Sequence, residues 1–368
     1  MKILQIGKFY PIRGGVEKVM LDLTEGLSER GVDCDMLCAS ETPQVIELNG
    51  HGRVVCVKAL AKWAATMISP GMVRRMRRVC REYDVVHVHH PDPMACLALF
   101  LSGYRGKVVL HWHSDILKQR VLLQLYRPLQ NWLIRRADLI VGTTPVYLAE
   151  SPCLQRVQHK TRCLPIGIEH MKQDATGAAT IRQRYAGKRI VFSLGRLIGY
   201  KGYRYLVEAA QYLPDDVVVL IGGTGPLRAD LQAQIDRLQL QGKVELLGFV
   251  KDEEVSAYYG ACDLFCLPSI QKTEAFGIVQ IEAMSCGKPV VATRIPESGV
   301  AWVNDHGVSG LNVEPEDAKA LAEAIEAILK DETAYRNFSE GARRHFEEYF
   351  TRERMLEDCL QIYRTLLG

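Results

Sequence analysis

The chain has 368 residues, 48% of them hydrophobic and 24% charged, a balance that excludes disordered and fibrous classes and provides core enough for two domains. Its formal net charge of +3 is too small for a nucleic-acid binder, yet residues 1–170 carry 23 basic and 15 acidic side chains against 23 and 28 in residues 171–368, which marks the first half for an anionic partner or surface. Eleven cysteines with no CxxC pair read as reduced thiols of a cytosolic protein.

The opening MKILQIGKFY reads as a strand rather than a charged leader followed by an apolar core, and no apolar run approaches the ~18 residues of a membrane span. Short β-branched runs then alternate with helical patterns, the signature of parallel sheets covered by crossover helices. Strands are expected over 2–7, 32–38, 54–57, 85–88, 108–111, 139–143 and 163–165, with helices over 15–30, 73–83 and 117–136. A second series places strands over 189–194, 217–221, 244–247, 264–267, 289–292 and 311–313, with helices over 202–213, 227–240 and 253–260. The stretch GIEHMKQDATGAAT, residues 167–180, has no periodic apolar face and reads as a linker. Beyond Asp317 the pattern is helical, and 351–367 forms a separate amphipathic helix carrying Tyr363. The expected organisation is an α/β protein of two doubly wound, Rossmann-like domains, 1–170 and 171–350, with 351–368 packing back on the first.

In such sheets ligands bind beyond the carboxyl ends of the strands, so the loops there carry the search. Neither GxGxxG after the first strand nor GxxxxGK[ST] anywhere is present, which removes most support for dinucleotide redox chemistry and P-loop hydrolysis. The first strand runs into Gly14-Gly15-Val16-Glu17, where the backbone either makes an ordinary turn or offers free N–H groups at a helix start to an anion. Arg196 and Lys201 lie among glycines in GRLIGYKG, 195–202; they are solvated surface charges or the cations of a diphosphate site. The turn GGTGP, 222–226, adds Gly223 to a third loop of this kind, and all three are expected to face one interdomain cleft. The sharpest constellation is a polar loop carrying Glu274, a helix expected to begin near Phe276, and Glu282 on its second turn, with the amides of Gly277, Ile278 and Val279 at the helix mouth. A carboxylate beside an anion site is costly unless it binds hydroxyls, which a sugar supplies.

The Glu274–Glu282 stretch resembles the EX7E motif of the retaining glycosyltransferases of family four, which have the GT-B fold. The resemblance runs along nearly the whole chain: Gly14 to Glu17 is similar to that family's GGxE loop, 165–169 to its PNGVD junction with Ile166 in place of Asn, 195–202 to its GRL(x)nKG loop and 222–226 to its GxGP turn, while 294–299 departs from its GGxPE segment. It implies a retaining hexosyltransferase that needs no metal or other cofactor. Glu282 would hold the ribose of a nucleotide-sugar donor, either UDP-hexose or GDP-mannose, and Glu274 a hydroxyl of the transferred sugar. Arg196, Lys201 and the Gly15 amide would neutralise the diphosphate, Phe276 and Gly277 would underlie the sugar, and His113, in His113-Ser114-Asp115, would sit in the active site. Departure of the diphosphate leaves negative charge that these groups stabilise, and a front-face route, the leaving phosphate taking the acceptor proton, fits a Glu274 that binds a hydroxyl. The implied acceptor class is a glycan or lipid-linked glycan of cell-surface polysaccharide or lipopolysaccharide synthesis.

Two other readings compete. His87, His89, His111 and His113 come from two successive strands, so alternation brings them together as core histidines or as a metal centre of a hydrolase. A GT-B protein that binds sugar nucleotide without catalysis is the second. Residues 58–81 interleave Lys58, Lys62, Arg74, Arg75, Arg77, Arg78 and Arg81 with Trp63, Met67, Ile68, Met72 and Met76; this is a solvated helix with an ordinary core face or a segment lying on an anionic bilayer, cations at the headgroups and the apolar face below. The second alternative predicts a cytoplasmic protein held peripherally at the inner face of the cell membrane.

Overall fold

The run VVVLIG, Val217–Gly222, is buried at every position, a demand met only by a strand with neighbours at both edges and helices on both faces. The computed structural model describes residues 1–12, 14–63, 66–116 and 120–368. They form two compact units, Met1–Ile166 with Arg352–Gly368, and Gly167–Thr351.

In the first unit the strands are β1 (Lys2–Tyr10), β2 (Asp33–Ser40), β3 (Gln44–Leu48), β4 (Gly52–Lys58), a small hairpin of β5 (Ala61–Trp63) and β6 (Thr66–Ile68), then β7 (Val85–His90), β8 (Lys107–Trp112), β9 (Leu139–Gly142) and β10 (Thr161–Cys163). Eight of these pair in the order β10-β9-β8-β7-β1-β2-β4-β3, parallel except for the β3–β4 hairpin. Ile3, Ile6, Val86, Val88 and Val109 fill the core between this sheet and its helices. The last helix, Arg352–Leu367, belongs to this unit: Arg352 Nη1 donates to Glu29 Oε2 at 2.7 Å, Arg30 pairs with Glu353 at 2.7 Å, and Tyr363 is fully buried.

The second unit contains β11 (Arg189–Leu194), β12 (Val217–Gly222), β13 (Val244–Gly248), β14 (Leu264–Leu267), β15 (Val290–Thr293) and β16 (Gly310–Val313). They are all parallel, in the order β13-β12-β11-β14-β15-β16. Counted from β11 this is the doubly wound sequence 3-2-1-4-5-6, whose strand order reverses between β11 and β14. The same reversal occurs in the first unit between β1 and β7. Each reversal opens a crevice beyond the strand ends, and the loops after β11 and β14, and after β1 and β7, border it.

Three segments differ from the sequence expectation. The linker stretch 167–180 contains the start of a helix, Ala175–Arg184, whose first turn is capped by Asp174 Oδ1 accepting from Gly177 N at 2.9 Å; none of its residues is fully buried, so it has no apolar stripe to read. The edge strand β3 is largely exposed and lacks an apolar run. Residues 58–81 divide into the β5–β6 hairpin and a helix, Pro70–Val79. That helix buries Met72, Met76 and Val79 in its own unit, so the apolar face that would have entered a bilayer is already used. The helix expected over 117–136 is Arg120–Arg136, residues 117–119 lying outside the described residues, as do Arg13 of the first glycine loop and the side chain of Trp63.

Candidate active site

The second unit's crevice is built by three loops that lock one another in place. After β11, Gly195 N donates to Gly222 O at 3.0 Å and Leu197 N to Thr224 O at 2.9 Å, while Ile270 N of the loop after β14 donates to Tyr200 O at 2.8 Å. Two glycines make this packing possible. A Cβ on Gly223 would lie 1.9 Å from Gly195 O, and one on Gly202, at φ +69°, would lie 1.9 Å from Pro268 O, distances no side chain tolerates.

These loops bring Lys201 from one side of the strand-order reversal to Glu274 from the other, Nζ to Oε2 at 2.5 Å, each side chain about one-tenth exposed. Ser269 Oγ donates to the same carboxylate oxygen at 3.0 Å. The backbone of Glu274 is held as well, its carbonyl accepting from Ser298 Oγ at 2.5 Å. Gly299 N donates to Ala275 O at 3.0 Å, so the segment 294–299 closes against the glutamate loop. Arg196 is exposed at the end of β11.

The helix that follows is Ile278–Ser285, beginning two residues later than expected; Gly277 stands at its N-cap with φ +76° and no side chain caps it. Its first amides therefore face outward without an intrahelical acceptor, at the positive end of the helix. Glu282 lies on the second turn, Oε2 accepting from Tyr259 OH at 2.7 Å. Burial raises its carboxyl above the usual carboxylate range, and the Tyr259 hydroxyl bond opposes that shift. Phe276 is a packing group here, its ring buried edge-on to Phe350 at 5.9 Å.

In the first unit the crevice is differently furnished. Asp92, in the loop after β7, caps the helix Pro93–Ser102, accepting from Met94 N at 2.9 Å and Ala95 N at 3.0 Å, and it also accepts from Lys8 N. Lys8 Nζ donates to Pro91 O at 2.6 Å. Burial lowers the Lys8 ammonium and raises the Asp92 carboxyl, each effect partly offset by the other's charge. Gly14 is the uncapped N-cap of the helix Gly15–Glu29.

The histidines gather as alternation requires. His89 Nδ1 lies 2.9 Å from His113 Nε2, and its Nε2 lies 2.8 Å from Gln5 Oε1; His111 and His113 stack at 3.9 Å. Burial drives His87, His89 and His113 well below the usual imidazole value and His90 and His111 to about 3. Nitrogens of His87, His89 and His111 fall within 4.8 Å of one another, yet this set does not suit a metal ion. Both nitrogens of His89 are engaged, and the three rings lie within 30° of parallel, so their in-plane lone pairs do not converge. The neighbouring carboxylates are committed too, Asp92 to its cap and Asp115 to Trp112 Nε1 at 3.0 Å and Ser151 Oγ at 2.7 Å.

Arg196, Lys201, Gly223, Glu274, Phe276, Gly277, Ile278, Val279 and Glu282 thus belong to the second unit, and Gly14, Gly15 and His113 to the first. Sequence reasoning missed Lys8, Gln5 and Tyr363 in the first unit and Tyr259, Ser269 and Ser298 in the second. No spacing ties these residues to their partners, although the placement of Lys8 next to a glycine near the end of the first strand was a usable signal.

Residues 179–345 match the family model described as glycosyl transferases group 1, and residues 14–167 that of a glycosyl transferase 4-like domain. O-antigen chain mannosyltransferase C of Escherichia coli is 32% identical over 375 residues, covering 100% of this chain and 99% of its own. D-rhamnosyltransferase WbpZ of Pseudomonas aeruginosa is 33% identical over 359 residues, covering 95% of this chain and 92% of its own. The solved structure of Anabaena HepE in complex with UDP is similar in fold, with a TM-score of 0.79 at 23% identity over 99% of this chain and 100% of that one.

Proposed function

The chain belongs to the family-four glycosyltransferases of GT-B fold, and we propose that it is a retaining hexosyltransferase, moving a hexose from a nucleotide-sugar donor to a glycan or lipid-linked glycan in cell-surface polysaccharide or lipopolysaccharide synthesis. One observation carries this reading: Lys201 and Glu274 meet across the strand-order reversal of the second unit at 2.5 Å, beside an uncapped helix N-terminus that carries Glu282 one turn further on. The relatives named for mannosyl and rhamnosyl transfer to O-antigen-type chains support the polysaccharide role, and the neighbour's UDP supports a nucleoside diphosphate leaving group. UDP-hexose and GDP-mannose are the donors proposed.

Chemically, the second unit receives the donor. Glu282 accepts hydroxyls from the ribose, and that trade relieves the cost of its burial. Glu274 accepts a hydroxyl of the hexose and releases Lys201, whose ammonium turns to the diphosphate together with Arg196 and the amides of Gly277, Ile278 and Val279. As the glycosidic bond breaks, negative charge grows on the phosphate oxygens, and these fixed cations and amides stabilise it without a divalent ion. The leaving phosphate takes the acceptor's proton on the same face, so the anomeric configuration is retained. In the first unit, the backbone amides of Gly14 and Gly15 and the imidazole of His113 are the groups proposed to contact substrate. Among the described residues no helix is long and apolar enough to cross a membrane; the exposed Arg74, Arg77 and Arg78 support a purely electrostatic attachment to an anionic leaflet. The test is incubation with each nucleotide-sugar and a polysaccharide-precursor acceptor, with the new linkage read by NMR. Retained configuration and full activity in a chelator are expected; inverted product or donor hydrolysis alone overturns the reading.

A further inference from the structure

The first unit contains a polar chain that ends at His113 and whose other members the transfer chemistry above does not use. Tyr363, from the C-terminal helix, Gln5 of β1, His89 of β7 and His113 just beyond β8 are joined in series. Gln5 Nε2 donates to Tyr363 OH at 3.0 Å, Gln5 Oε1 faces His89 Nε2 at 2.8 Å, and His89 Nδ1 faces His113 Nε2 at 2.9 Å. Gln5, His89 and Tyr363 are completely buried and His113 is 5% exposed, so each group must find its partner inside the protein.

The proton positions along this chain follow one from another. The second amide proton of Gln5 points at Cys34 Sγ, 4.0 Å away, so both protons are directed away from His89 and the carbonyl oxygen faces it. A carbonyl only accepts, so His89 Nε2 carries a proton. Burial keeps His89 neutral, and a neutral imidazole has one N–H, so its Nδ1 is a bare acceptor. His113 Nε2 must then be the donor to it. Because His113 is neutral for the same reason, its Nδ1 has no proton.

We infer that Gln5 and His89 are positioning residues that fix His113 as its Nε2–H tautomer, leaving Nδ1 as its one lone pair, so that His113 accepts a hydrogen bond from a substrate hydroxyl and cannot donate one. The proposal rests on the reading of His113 as an active-site group and adds to it a direction: a sugar hydroxyl is recognised there as a donor. Tyr363 makes the C-terminal helix part of the device, since its hydroxyl, also 2.5 Å from His87 Nδ1, holds the Gln5 amide in the orientation on which the rest depends. If the amide were reversed, every proton in the series would shift and His113 would present Nδ1–H instead.

The direct test is a long-range proton–nitrogen NMR correlation on the full chain labelled with 15N-histidine, with His113 assigned by comparison with His113→Asn. The unprotonated nitrogen of His113 is expected to be Nδ1. A bare Nε2 in the parent protein overturns the network. Gln5→Met removes the acceptor for His89 and is expected to mix the two tautomers of His113 and to lower kcat about tenfold while the donor KM stays within about twofold. Gln5→Glu, which still accepts from His89, is expected to restore the single tautomer. A Gln5→Met protein that folds, shows one unchanged tautomer and turns over normally also overturns the proposal. The underlying reading fails separately: a fully active His113→Ala enzyme removes His113 from the active site, whatever tautomer the parent protein shows.

Discussion

The two units reverse strand order at equivalent places, and at each reversal a lysine near or beyond the end of the first strand meets a carboxylate from the loop across the crevice. In the first unit Asp92 is consumed by structure: it caps the next helix through Met94 N and Ala95 N and holds Lys8 N, while the Lys8 ammonium goes to a backbone carbonyl. In the second unit, among the described residues, the Glu274 carboxylate takes the side chains of Lys201 and Ser269, and the following helix is left with a bare glycine cap. Topology supplies a crevice to both. What separates them is the helix after the second bordering strand: Asp92 satisfies the N-terminus of the helix after β7, whereas the helix after β14 keeps its first amides free. Burial favours the neutral forms of Lys8, Asp92 and the histidines in the first unit and of Glu282 in the second, but only the second crevice pairs Lys201 with Glu274, side chain to side chain, as an ion pair that a ligand can exchange.

The largest effect that sharpens this contrast is acid sensitivity. His87, His89, His90, His111 and His113 have folded values below the ordinary imidazole value, two of them at about 3. A depressed value means stability that is fully present above about pH 6.5 and is lost as pH falls towards the folded value, about 1.4 kcal/mol per pH unit for each such group. The first unit should therefore melt well before the second at pH 5.5, with their urea midpoints closer at pH 7.5. Fluorescence of Trp112 and Trp302 in single-tryptophan variants reports the two units separately, and equal acid shifts would erase the distinction.

Next comes the pair itself. Lys201→Ala and Glu274→Gln should each lower kcat/KM by about 10²- to 10³-fold, and the double variant should lose far less than the product of the two. Steady-state kinetics of the cycle decides it; additive losses would mean that the two act independently. A smaller loss is expected at Glu282. Removing its charge by Glu282→Gln should weaken nucleoside diphosphate binding about tenfold or more, yet raise the melting temperature of the free protein at neutral pH. The sign follows from its raised carboxyl: the stability that shift confers is complete below the unfolded value and disappears as pH rises through the folded one, so the ionised form is a burden at pH 7. Calorimetric titration and thermal melts measure the two halves of this expectation. Smallest in its effect on binding is the counterpart in the first unit, where Asp92→Ala should lower stability by about 1 kcal/mol through the lost cap and further through the lost partner of Lys8, and leave nucleoside diphosphate affinity unchanged. A large affinity loss there would make the two crevices functionally alike.

How far the sequence carried this account depends on the kind of signal. The parallel sheets were legible because fully buried strands such as Val217–Gly222 leave an unbroken β-branched run. Glu274, Glu282 and Lys201 were legible because glycines, cations and carboxylates crowd short strand-to-helix loops. The helix Ala175–Arg184 was not, since it buries no side chain completely. The face of Pro70–Val79 read equally as a core face or a membrane surface, because Met72 and Met76 have the same periodicity whether a core or a bilayer covers them; the structure gives it to the core. Tyr363, Gln5 and His89 were invisible as a unit: their bonds join residues 358 and 84 positions apart, and no local pattern encodes such partners.

The central claim is that the second unit grips a nucleoside diphosphate through Lys201. A thermal-shift titration with UDP, GDP and ADP, on the parent chain and on Lys201→Ala, tests it most directly. One base should stabilise the parent by about 2.7 kcal/mol at a hundred times its dissociation constant, and Lys201→Ala should lose most of that gain at the same concentration. If no nucleoside diphosphate stabilises the parent, or if the gain survives intact in Lys201→Ala, the claim is wrong.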